Sequence, residues 1–152
     1  MGRTKPTVAM EYVVGLTDGE GCIHVNMWKS SSYKAGYGIQ VHFYIKMQER
    51  DRVLLEKVKN TLECGAVYFQ KEARSNHCQC YRYTVSSHKD ILTKVIPFFK
   101  QYPLHSASKQ KSFKAFCQVA SLIEKKKHLT KTGIIKIRAL KSQMNQKTVG
   151  LA

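Results

Sequence analysis

From Cys22 to Trp28 apolar and polar positions alternate, with Ile23, Val25 and Met27 interleaved between His24, Asn26 and Trp28. The alternation returns where Ile39, Val41, Phe43 and Ile45 stand against Gln40, His42, Tyr44 and Lys46. A period of two sends one set to a buried face and the other to the opposite face of a strand. The two runs, joined by the polar stretch 29–38, therefore predict a hairpin. A second hairpin is expected from 66–71 and 79–86, with Val67, Phe69, Tyr81, Tyr83 and Val85 inward. Helical spacing governs 10–18, then Leu54, Leu55, Val58 and Leu62 within 50–63, then Phe113, Phe116, Cys117, Ala120 and Ile123, and finally Ile134, Ile137, Leu140 and Met144. Gly65 offers a helix stop. Ser87 and Asp90 have the spacing of a capping box opening a helix over Ile91, Leu92, Val95 and Ile96, which Pro97 should limit.

The resulting order, α-β-β-α-β-β-α-α-α, is that of an α+β domain: a four-stranded antiparallel sheet with helices packed on one face. The 152 residues suffice for one domain and not for a multidomain assembly. No run of about 18 apolar residues occurs, and the first ten residues lack the apolar centre of a secretion signal, so an intracellular protein without a membrane span is expected. Five cysteines, Cys22, Cys64, Cys78, Cys80 and Cys117, fit free thiols in a reducing compartment better than a disulfide framework. His77 and Cys78 to Cys80 could ligate zinc, but no second ligand pair stands at finger-like spacing.

Charge changes the picture. Twenty-six Lys and Arg against ten Asp and Glu give a formal net charge of +16, which calls for a polyanionic partner. The excess is +6 over residues 1–100 and +10 over 101–152, where Glu124 is the single acid. Against that background the outward sheet face matters, because His24, Asn26, Trp28, Gln40, His42, Tyr44, Lys46, Tyr68, Gln70 and Arg82 can donate to or accept from base edges. Lys125, Lys126, Lys127, Lys131, Lys136, Arg138 and Lys141 would meet phosphates without reading sequence.

The densest motif is Val13-Val14-Gly15-Leu16-Thr17-Asp18-Gly19-Glu20-Gly21. Gly15 and Gly19, four apart on a helix, allow close approach of a second helix. Asp18 and Glu20 sit at the helix C-terminus, where the macrodipole disfavours carboxylates, so each needs a compensating partner.

These nine residues resemble the LAGLIDADG signature of homing endonucleases, with Glu20 in place of the final Asp. The likeness continues through Gln48 ahead of the helix at 51–62, Cys64-Gly65-Ala66-Val67, Tyr102-Pro103-Leu104 before Lys109-Gln110, and His128-Leu129-Thr130-Lys131-Thr132-Gly133 leading to Met144-Asn145. It covers almost all of 10–146, and a domain core of about 8–146 is expected. The resemblance implies an αββαββα fold with additional C-terminal helices, the sheet forming a saddle over the DNA major groove. With one motif in the chain, it implies a homodimer paired through Val14, Gly15, Asp18 and Gly19 about a two-fold axis, acting on a long, nearly palindromic site. The implied reaction is a staggered double-strand break with 3′ overhangs that promotes intron homing.

Glu20 and the Gly19 carbonyl are the implied Mg²⁺ ligands, with Mn²⁺ able to substitute and Ca²⁺ supporting binding without cleavage. Hard oxygen donors suit such cations. Asp18 is assigned to packing and capping. Lys109 is implied as the charge that stabilises the phosphorane, with Lys111 as alternative, and Gln48 as the residue that orients water, or Met47 if the alignment slips by one. Strand parity adds Ser30, Ser32, Tyr33 and, at the second hairpin tip, Arg74 to the DNA contacts. Three other readings stay open: an RNA maturase acting on intron RNA, a DNA-binding regulator, and a basic ribosome-associated protein. The expected location is an organelle, chloroplast or mitochondrion, or a microbial cytoplasm.

Overall fold

A computed structural model describes residues 4–74 and 76–144. Asn145 and the outer limit of the expected core at 146 lie outside those residues. Helix α1 (Met10–Glu20) runs directly into β1 (Gly21–Lys29), which turns back into β2 (Tyr37–Gln48). A 3₁₀ turn (Glu49–Asp51) leads to α2 (Arg52–Leu62), followed by β3 (Ala66–Gln70) and β4 (Cys80–Val85). Three helical segments, α3 (His88–Asp90), a π-turn (Ile91–Val95) and α4 (Ile96–Gln101), follow without a break. After α5 (Ala107–Glu124) and a 3₁₀ turn (Lys127–Leu129), the described chain ends in α6 (Lys131–Met144). The four strands form one antiparallel sheet in the order β1-β2-β4-β3. This is the α+β arrangement that the alternation predicted.

The inward positions of both hairpins meet the helices. Val25, Val41, Phe43, Ile45, Tyr83 and Val85 join Leu55, Val58, Phe99, Phe116 and Ile137 in one core. Phe43 meets Tyr83 and Phe99 edge-to-face at 6.2 and 5.5 Å between centroids. Each such side chain removed from water contributes roughly 1.5–3 kcal/mol. Two hydroxyls buried in the core are satisfied: Thr17 Oγ1 donates to Val13 O at 2.7 Å, and Tyr83 Oη donates to Cys64 O at 2.7 Å.

Three expectations are corrected. Pro97 does not limit its helix, because the Ile96 N–H reaches back five residues to Ile91 O and the widened turn admits the ring at the start of α4. Phe69 shares the inward parity of Val67 yet is exposed. It lies on edge strand β3, where its ring has Tyr81 as edge-on neighbour at 5.4 Å. The left-handed stop of α2 falls on Glu63 (φ 57°), with Gly65 (φ 83°) making a second left-handed step into β3.

Candidate catalytic depression and nucleic-acid face

Helix α1 divides its residues between two surroundings. Val13, Val14 and Thr17 are fully buried in the core. Val14, expected on the paired face, is thus enclosed by its own chain, because it belongs to the inward stripe. Gly15 and Gly19 face outward, and a Cβ at either would meet nothing within 4 Å. With exposed Tyr12 and half-buried Leu16 they make a smooth uncovered strip.

Asp18 resolves the conflict between a carboxylate and the C-terminus of its own helix. Its two oxygens accept the backbone N–H groups of His105 (2.9 Å) and Ser106 (3.1 Å), immediately before α5. Ser106 is the N-cap of α5, so the charge unfavourable to α1 sits at the positive end of α5. The same clamp brings the first turn of α5 to the start of β1, where Lys109 Nζ donates to Gly21 O.

Glu20 is exposed at the end of α1 and lines a depression of about 390 Å³ with Lys46, Met47, Gln48, Arg50, Asp51 and Cys80. Glu20 and Gln48 are therefore brought to one place, and Lys109 bonds to the residue next to Glu20. Along β2, Met47 follows the inward parity and packs on the core, while Gln48 is exposed on the polar face. Lys111 is exposed one turn-fraction further along α5. Arg50, Asp51 and Cys80 were not anticipated; strand parity does not place loop and turn residues around a depression.

Register converts the polar face into rows. His24 is paired with His42, Asn26 with Gln40 and Trp28 with Gly38. Lys46, Arg82 and Tyr68 form one row, and Gln48, Cys80 and Gln70 another. The His24 and His42 rings stack with centroids 6.2 Å apart. Burial, then Lys141 from α6 and Arg82 from β4, holds His24 below the usual imidazole range. Burial, then His24 and Arg82, does the same to His42. The Trp28 indole lies over Gly38, where any Cβ would approach it to 2.3 Å, and it meets Tyr33 edge-to-face at 6.1 Å. Ser30 and Ser32 close the turn at Tyr33: Ser32 N–H donates to Ser30 Oγ at 3.2 Å, and Ser30 N–H to Gly36 O at 2.9 Å.

One element of this face escaped sequence reasoning. Lys46 is ion-paired with Glu72, which lines a second depression of about 320 Å³ together with Lys46, Gln48, Arg74, His77, Cys78 and Cys80. The available signal was that Glu72 is the sole acid between Glu63 and Asp90. Helix α6 packs on the core side of the sheet, its Arg138 guanidinium lying 5.0 Å from the ring centroid of Tyr37 at the start of β2.

The site is thus a glycine-lined, acid-ended helix beside the polar face of an antiparallel sheet. Residues 13–120 match the family model described as LAGLIDADG endonuclease, and the chain belongs to that family. It is 30% identical over 134 residues to a probable intron-encoded endonuclease of Neurospora crassa, matching 88% of this chain and 28% of that protein. The chain spans between 24% and 33% of the length of the curated relatives it matches. Among solved structures, it is similar to the homing endonuclease I-TnaI (TM-score 0.80, 33% identity, 91% of this chain and 89% of that one). It is also similar to I-SmaMI bound to an uncleaved DNA target in the presence of calcium ions (TM-score 0.83, 29% identity, 91% of this chain and 45% of that one).

Proposed function

We propose that two copies of this chain form a sequence-specific DNA endonuclease of the homing type. The observation that carries this reading is the convergence of Glu20, Gln48 and the Lys109 ammonium at the end of α1, next to a sheet face made of base-reading side chains. The similar I-SmaMI structure holds DNA, which supports DNA as the polyanion that the +16 charge calls for.

The donor set at this point suits a hard divalent cation. Glu20 presents an exposed carboxylate, and the surroundings of Gly19 are open, so the carboxylate and the Gly19 carbonyl would hold Mg²⁺. Among the described residues no three acids, histidines or cysteines come together as a metal site. A second copy related by a two-fold axis would bring another Glu20 beside the first. The uncovered Gly15 and Gly19 strip fits such a pairing. When bound, Mg²⁺ would activate water and offset charge on the leaving oxygen of a phosphodiester.

The protein's own groups do the rest. Lys109, tethered to Gly21 O, holds positive charge where a phosphorane would form. Gln48, exposed at the end of β2 and lining the same depression as Glu20, would orient an attacking water. Asp18 fixes α5 and so the reach of Lys109. Two such centres acting on opposite strands give a staggered break with 3′ overhangs in a nearly palindromic site, the reaction that moves an intron into an empty allele. Intron-encoded fungal relatives and unpaired thiols support a reducing compartment, an organelle included. No described helix is long and apolar enough to cross a membrane.

The test is cleavage of a plasmid library of randomised near-palindromic sites in Mg²⁺ and in EDTA. Wild type should give discrete Mg²⁺-dependent double-strand cuts. Glu20→Gln should bind the recovered site within a few-fold of wild type and leave it uncut. Equal cutting by that variant would remove Glu20 from the chemistry, and binding without cutting by wild type would favour a maturase or regulator.

A further inference from the structure

The row formed by Lys46, Arg82 and Tyr68 crosses the sheet in register, and its two cations stand in opposite states. The Lys46 ammonium is ion-paired with Glu72, so its charge is largely answered within its own chain. Arg82 has neither an ion pair nor a hydrogen bond among the described residues, and its Nε is enclosed with no acceptor. Its guanidinium lies 4.0 Å from the centroid of the Tyr44 ring. That contact holds the guanidinium against the ring without engaging any of its N–H donors. Strand β4 is flanked by β2 and β3, which sets Arg82 inside the face and away from the sheet's edges.

A phosphate is satisfied by a positive charge arriving from many directions. A planar fork of donors held in one plane matches the paired O6 and N7 acceptors of guanine in the major groove. Lys46, a compact ammonium already engaged, lacks both the fork and the free charge.

The geometry points to Arg82 as the residue that reads a guanine in each half-site, with Tyr44 positioning its guanidinium and Glu72 keeping Lys46 from competing for the same base pair. The inference rests on the DNA-cleaving reading above. In a two-fold dimer it requires guanines at two symmetry-related positions of the target. Tyr44 contributes by orienting a neighbour, so removing its ring should weaken discrimination at that guanine more than it weakens overall binding.

The experiment selects bound sites from a randomised near-palindromic duplex library with full-length wild type, Arg82→Ala, Arg82→Lys and Tyr44→Leu. Wild type should show one strongly preferred guanine per half-site that Arg82→Ala loses, with preferences elsewhere retained. On the wild-type consensus, replacing that guanine by 7-deazaguanine, which lacks the N7 acceptor and so removes one of the two bonds, should cost wild type roughly 2- to 12-fold in affinity and Arg82→Ala almost nothing. Arg82→Lys should keep the salt dependence of binding and still lose the guanine preference, which separates base reading from charge. Preserved preferences in Arg82→Ala, or a uniform weakening at every position with a shallower salt slope, would overturn the assignment and leave the nuclease reading intact. An absence of any selected consensus with wild type would overturn both.

Discussion

Asp18 joins two helices whose dipoles place opposite demands on it, and removing its carboxylate measures the balance. In Asp18→Ala the N–H groups of His105 and Ser106 lose their acceptors. A hydrogen bond to a charged group contributes about 1.5–3 kcal/mol, and the partly exposed loop argues for the lower bound. Relieving the carboxylate's position at the end of α1 returns about 0.3–1 kcal/mol. Two bonds less that return leave a destabilisation of about 2 kcal/mol, or a fall of about 4–8 °C in Tm for a chain of this size. Asp18→Asn keeps one oxygen acceptor and should lose about half as much. Urea unfolding followed by circular dichroism checks this, at fixed protein concentration because dimer stability depends on it. Loss of the clamp should also lower cleavage, since Lys109 rides on the first turn of α5. An Asp18→Ala protein as stable as wild type within about 0.5 kcal/mol would refute the claim that the clamp couples α1 to α5.

Other expectations test separate parts of the molecule. Gly15→Leu fills the open strip on α1 and should turn a sedimenting dimer into monomers without unfolding the chain, whose own packing does not touch that position; a persisting dimer would move the interface elsewhere. His24, His42, His88 and His128 are all held below the usual imidazole range, chiefly by burial. Their contribution to stability is therefore complete above about pH 6.5 and lost as pH falls from there towards their folded values, because the unfolded chain takes up protons first. Urea midpoints should decline from pH 7 to 5, less steeply in a His24→Gln, His42→Gln double variant; a flat wild-type profile would contradict the assignment. Gly38→Ala drives a methyl into the Trp28 indole, and since Trp28 is the single tryptophan its fluorescence should shift and DNA affinity fall together. An unchanged spectrum would show that the indole does not rest there.

What could be read from the chain alone was whatever repeats at short range. The two-residue alternation defined both hairpins and the polar face from His24 to Arg82, and the nine residues from Val13 to Gly21 marked the helix that ends at Glu20. The amphipathic spacing of Leu55, Val58 and Leu62 likewise located α2. These patterns are local because side-chain direction follows directly from backbone periodicity. Which of two neighbouring residues meets the core, which partner a charge finds and how far a sheet is covered depend on contacts between distant segments. Folding enclosed Val14 and bared Phe69, since burial depends on what lies above a position as well as on its parity. It joined Asp18 to residues 87 and 88 positions away, paired Lys46 with Glu72 and stacked Arg82 on Tyr44. Charge and hydrogen-bonding capacity are carried by the sequence, but they become a site only when the register of β2 and β4 and the docking of α5 bring them within a few ångströms of one another.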